Sequence, residues 1–191
     1  MKIMKKYFFF ILLILSMGSV KGQLLLHEPF NYTPDPVLGL WTQSTQAWLR
    51  LNSGDSVLVD AGNLSFTGLA SSTGNKVKFD GSGADYYTTF VSQTSGTVYS
   101  SFILNVSALG GLTTTGGYCT GFIDAGTTTT FGATVWLRLS ATAGKYNIGI
   151  ATRTTAAAVS WLPGDYDPGT SYFIVRAYEM ITGAGNHFIR S

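Results

Sequence analysis

From Thr97 to Val106 the chain alternates: Val98, Phe102, Leu104 and Val106 share one face with Ser100, while Tyr99, Ser101, Ile103 and Asn105 point the other way. A period of two belongs to an extended backbone, so this stretch reads as a strand covered on one side. The spacing recurs where Val135, Leu137 and Leu139 alternate with Trp136 and Arg138, and where Tyr146, Ile148 and Ile150 alternate with Asn147, Gly149 and Ala151. Between Tyr172 and Tyr178 both faces are apolar apart from Arg176, which predicts a central strand with material above and below. Shorter strands are expected over residues 24–28, 57–60, 76–79, 86–91, 118–123 and 158–161.

Little in the composition could build helices instead. Glu occurs only at Glu28 and Glu179, Lys is sparse after residue 22, and Gly, Thr and Ser are abundant. Branched and aromatic side chains fit pleated surfaces, whereas surface helices draw on Glu, Lys and Ala. Turn chemistry separates the strands at Gly74-Asn75, Asp80-Gly81-Ser82-Gly83, Ser95-Gly96, Gly116-Gly117, Ala143-Gly144 and Asp167-Pro168-Gly169. Many short strands with frequent turns predict an all-β sandwich or barrel.

Lys2, Lys5 and Lys6 precede an unbroken apolar run from Tyr7 to Leu15 and a small-residue exit at Val20-Lys21-Gly22. Residues 1–22 therefore read as an export signal, a hydrophobic helix cleaved between Gly22 and Gln23, with an apolar run shorter than the ~20 residues of a membrane span. The remainder, residues 23–191, is of a length that one domain fills. Four of the twelve basic residues fall in the leader, leaving eight against ten acidic ones and a net charge of −2. The remaining cations are scattered singly, which argues against nucleic acid as a partner. Cys119 is the only cysteine, so no intrachain disulfide or paired-thiol metal site is available, and its place in an alternating segment suits a small buried side chain. No second long apolar run predicts a membrane span after the leader is removed.

Several segments, taken in order, resemble one family: Leu26-His27-Glu28-Pro29-Phe30-Asn31-Tyr32, Leu64-Ser65-Phe66-Thr67-Gly68-Leu69, Gly74-Asn75, Gly96-Thr97-Val98-Tyr99-Ser100-Ser101-Phe102, Gly169-Thr170-Ser171-Tyr172-Phe173-Ile174-Val175 and Tyr178-Glu179-Met180-Ile181-Thr182-Gly183. Together they resemble the concanavalin A-like lectin/glucanase domains of large secreted bacterial proteins. That resemblance implies an antiparallel two-sheet jelly-roll sandwich, carried by framework positions rather than by a chemical signature. Members commonly continue past the Thr-Gly strand with further strands and a carboxy-terminal sorting module, whereas Gly183 here leads quickly to Ser191. The comparison implies a domain shortened near its C-terminus.

Glucanases of this group place acidic residues as Glu-x-Asp-x-x-Glu, because retaining hydrolysis needs two carboxyl groups about 5 Å apart. That spacing does not occur here, no Gly-x-Ser-x-Gly elbow is present, and His27 and His187 stand alone, so the chain reads as non-catalytic. Oxygen-rich turns make Asp80, Asp85, Asp165 and Asp167 candidates for structural calcium, with ordinary turn bonding as the alternative. Trp41, Trp48, Trp136, Trp161 and Tyr166 could offer flat faces to sugar rings, with core packing as the competing use for most of them. Trp161 and Tyr166, which bracket Leu162-Pro163-Gly164-Asp165, are the leading carbohydrate candidates, joined by Trp41.

The sequence thus leads to a secreted or cell-surface module that binds carbohydrate or another extracellular surface without turning it over. A structural spacer or adhesin segment without a ligand site, and a remnant of a glucanase-like hydrolase, are the alternatives.

Overall fold

The computed structural model describes residues 22–181 except 82 and 125, together with the backbone of His187–Arg190. The export signal expected over residues 1–22 lies outside the described residues except for Gly22. In chain order the elements are one helical turn, α1 (Leu40–Gln43), and strands β1 (Leu49–Arg50), β2 (Leu58–Asp60), β3 (Lys76–Lys78), β4 (Tyr86–Tyr87), β5 (Gly96–Asn105), β6 (Gly117–Ile123), β7 (Phe131–Leu139), β8 (Tyr146–Ala151), β9 (Ser160–Trp161), β10 (Ser171–Met180) and β11 (His187–Arg190). A 3-10 turn at Ala156–Ala158 precedes β9. The class is all-β, as the shortage of helix formers requires. Among the described residues no helix is long and apolar enough to cross a membrane.

Two antiparallel sheets carry the architecture. One runs β6-β7-β8-β9 and the other β11-β10-β5, while β1-β4 and β2-β3 form separate two-stranded ladders. β5 and β10 pair without interruption from Gly96↔Met180 to Asn105↔Ser171. An unbroken register keeps each face constant, because a one-residue slip would send every side chain to the other side. Val106, Val135, Leu137, Tyr146 and Ile148 form the buried centre, and Phe102, Leu104, Tyr172 and Ile174 pack onto it from β5 and β10. Full burial of an aliphatic side chain such as Val135 or Ile148 contributes roughly 1.5–3 kcal/mol.

The expected strand at 24–28 does not form. Glu28 instead cross-braces the first segment, its carboxylate accepting from the Phe30 backbone N–H (2.6 Å), the Tyr32 hydroxyl (2.8 Å) and Trp48 Nε1 (2.9 Å). The Phe30 and Trp48 rings stack above this knot, 5.5 Å apart. Burial and the bond to Glu28 push the Tyr32 hydroxyl up to about 12. The strand expected over 86–91 is only β4, and the one expected over 158–161 is split between the 3-10 turn and β9. β10 lies mid-sheet as expected, yet its outer face is only partly covered: Phe66 meets Phe173, but Val175 remains 47% exposed.

Arg176 of β10 points into the core and is 4% exposed. Its Nη1 donates to the Ala133 carbonyl at 2.8 Å, and its guanidinium lies 4.5 Å from the centroid of the Phe122 ring. Ala133 holds a positive φ of 47° within β7, a strained setting for alanine, opposite a stretch of β6 where the register shifts twice. Burial lowers the proton affinity of Arg176, and its Nε has no hydrogen-bond partner. Cys119 packs against the same core, where burial pushes its thiol up to about 12.

Candidate functional site

β7 and β8 pair so that Arg138 faces Asn147 and Trp136 faces Gly149, on the face of the sheet opposite Val135, Leu137, Tyr146 and Ile148. Gly149 in turn pairs with Trp161 of β9. With no side chain at 149, the indole settles against the strand: a Cβ built there would lie 2.7 Å from Trp161 Cε3 and 2.6 Å from Val159 Cγ1. Gly116, at a positive φ of 81°, closes the other side, since its Cβ would stand 3.1 Å from Trp161 Cη2. The Arg138 guanidinium lies over the indole, 4.0 Å from its centroid. Glycine within a strand thus marks a close approach that a side chain would forbid.

From this indole a polar relay leads to the loop after β9. Arg138 Nε donates to Asn147 Oδ1 at 3.2 Å, and Asn147 Nδ2 donates to the Gly164 carbonyl (3.0 Å) and to Asp165 Oδ1 (2.9 Å). Asp165 also accepts from the Thr142 hydroxyl at 2.6 Å and from the Ser140 hydroxyl. These hydroxyl and amide donors hold the Asp165 carboxyl below the usual range, the Ser140 bond first and the Thr142 bond next. The relay walls a groove of about 560 Å³, lined among others by Thr114, Arg138, Ser140, Trp161 and Asp165. A fixed aromatic ring beside convergent hydroxyl, amide and guanidinium groups is suited to holding a polar ligand in one orientation.

The structure separates the residues singled out from the sequence. Trp161 and Asp165 meet in the groove. Tyr166 turns into the core, its ring 5.8 Å from Tyr146 and 5.0 Å from Tyr172, while its backbone bonds to that of Tyr146 in both directions. Trp41 sits on α1, 42% exposed, and is not part of the groove lining. Trp136 is buried, with Nε1 donating to Thr134 Oγ1 at 2.9 Å, and Trp48 belongs to the Glu28 knot.

Each aspartate offered as a calcium ligand has local partners. Asp167 pairs with the Lys145 ammonium, which raises the lysine's proton affinity. Asp85 accepts from Asn52 Nδ2 (2.9 Å) and from the Tyr118 hydroxyl (3.0 Å), tying the β1–β4 ladder to β6 and helping burial push that hydroxyl up to about 12. Asp80 occupies an exposed turn, its carbonyl so close to Gly111 that a Cβ there would stand 2.2 Å away. Among the described residues no group of three His, Cys, Asp or Glu side chains is placed to hold a metal ion.

Arg138, Asn147, Ser140, Thr142 and Gly149 were not singled out as site residues from the sequence. The usable signal is the polar pair Arg138 and Asn147 on two consecutive strands, with a glycine at 149 where strand propensity disfavours one. Comparison with known proteins adds no assignment: no family model matches the chain, no curated protein matches it, and no solved structure matches it.

Proposed function

We propose that this chain is a secreted, non-catalytic module whose strands form a concanavalin A-like jelly roll, and that it binds carbohydrate in the groove at Trp161. The observation that carries this reading is the seating of the Trp161 indole against Gly149 and Gly116, beside the hydroxyls of Ser140 and Thr142 and the amide of Asn147. Sugars present apolar C–H faces that pack on aromatic rings and hydroxyls that exchange hydrogen bonds with such a rim. The leader-like sequence of residues 1–22 supports export. Asp165 is the sole carboxylate among the groove-lining residues, and its donors favour the ionised form, whereas glycoside hydrolysis requires an acid and a second carboxylate across the bond.

A glycan array probed with the full chain tests the proposal. Selective binding that disappears in Trp161→Ala, with the melting temperature of the variant retained, is the expected result. A blank array overturns it in favour of a structural spacer or adhesin segment. That second reading draws on one observation: Asn147 and Asp165 already satisfy each other and their neighbours within the relay.

A further inference from the structure

We infer that the groove selects anionic sugars, those bearing a carboxylate or a sulfate ester, through the unused fork of Arg138; this rests on the glycan-binding reading above. A guanidinium offers five N–H donors in a rigid plane, and the edge formed by two parallel N–H groups matches a planar or tetrahedral oxyanion. In Arg138 only Nε is engaged, by Asn147 Oδ1 at 3.2 Å. Its guanidinium carbon also lies over the Trp161 ring, 4.0 Å from the centroid. Among the described residues the two terminal nitrogens have no hydrogen-bond partner, and Arg138 takes part in none of the ion pairs, which join Lys76 and Lys78 to Asp60, Lys145 to Asp167, and Arg153 to Asp124.

The other charged groups around the groove leave this cation available. Asp165, the nearest candidate to neutralise it, is instead bonded by Ser140, Thr142 and Asn147, and the Asn147 amide stands between the carboxylate and the guanidinium. Lys145, on the same hairpin, is occupied by Asp167. A ligand anion is therefore directed to the Arg138 side, where Thr114 also lines the groove, and away from Asp165, which repels it. The result is an uncompensated fork, oriented by its Nε bond, in a groove where Ser140, Thr142, Asn147 and Asp165 are already bonded to one another, and this separates an acidic sugar from a neutral one of the same shape.

Titration calorimetry of the full chain with hexasaccharides tests this: oligogalacturonate for the carboxylate, a sulfated carrageenan fragment for the sulfate ester, and cellohexaose and laminarihexaose as neutral probes. The expected result is that at least one acidic probe binds about tenfold or more tighter than both neutral ones. Raising the salt should weaken the acidic probe alone. Arg138→Gln should abolish the preference, and Arg138→Lys, which keeps charge without the fork, should retain the salt dependence but lose most of the affinity gain. Far-ultraviolet circular dichroism and melting of each variant confirm that it is folded, and Thr114→Ala, outside any strand, gives a second perturbation of the same anion position. Equal binding of neutral and acidic probes, or a preference that survives Arg138→Gln, overturns the inference while leaving glycan binding intact. Failure of all four probes, together with a blank array, overturns both.

Discussion

A methyl group at position 149 would stand 2.6 Å from Val159 Cγ1 and 2.7 Å from Trp161 Cε3, closer than packed carbon atoms tolerate, so the glycine and the indole are one unit. Gly149→Ala should push β9 off β8 and lower stability by about 1–3 kcal/mol, the usual cost of overpacking, with a matching fall in the denaturant midpoint. Loss of glycan binding without loss of stability would show that the indole merely shifts. Glu28 illustrates a different dependence, since three donors converge on one carboxylate. Glu28→Gln turns an amide nitrogen toward at least one of those donors and should cost about 1–3 kcal/mol. A melting temperature unchanged from the parent would show that the knot contributes nothing to stability. The Glu28 bonds to Phe30 and Tyr32 are local, but the Trp48 bond and the seating of Trp161 against Gly149 were not legible from either residue alone, because they depend on a distant segment and a neighbouring strand.

At the scale of elements, β5, β7 and β8 were readable because each has one face in a shared core, which forces apolar side chains into every second position. β1, β4 and β9 each span two residues, too short for a period to show. Trp161 and Asp165 could be found from their Pro/Gly-bounded loop, whereas Arg138 and Asn147 became a pair only through the β7–β8 register. β10 contains the one charge that its apolar run could not explain, Arg176, seated between Phe122 and the Ala133 carbonyl without an ion pair among the described residues. Burying an uncompensated cation is costly, and an apolar side chain of similar length removes the cost while keeping the packing. Arg176→Met should therefore melt at or above the parent temperature, while Arg176→Ala, which leaves a void, should melt below it. A large loss in the methionine variant would show that the guanidinium's bonds outweigh its desolvation.

Over the whole molecule, stability should follow its exposed charges at both ends of the pH scale. Asp35, Asp60 and Asp165 have proton affinities lowered by backbone N–H groups, by Lys76 and by the Ser140 hydroxyl, respectively, so their contribution is present above the ordinary carboxylate value near pH 4 and fades as pH falls through the depressed values. Lys145, raised by Asp167, acts in the opposite sense: its contribution holds below about pH 10.4 and is lost as pH climbs through the raised value. Melting temperatures measured from pH 2 to pH 11 should show a plateau with a decline on each side, and a curve that rises on acidification would contradict these assignments. The all-β class itself followed from composition and alternation, whereas the packing of one sheet on the other rests on contacts between residues far apart in sequence. Trp161 occupies a singular place among the indoles. Of the four tryptophans it alone lines the groove, with a guanidinium set against its ring. Its fluorescence is therefore a native optical gauge: an anion held by Arg138 changes the surroundings of that one indole, and occupancy can be read without attaching a dye.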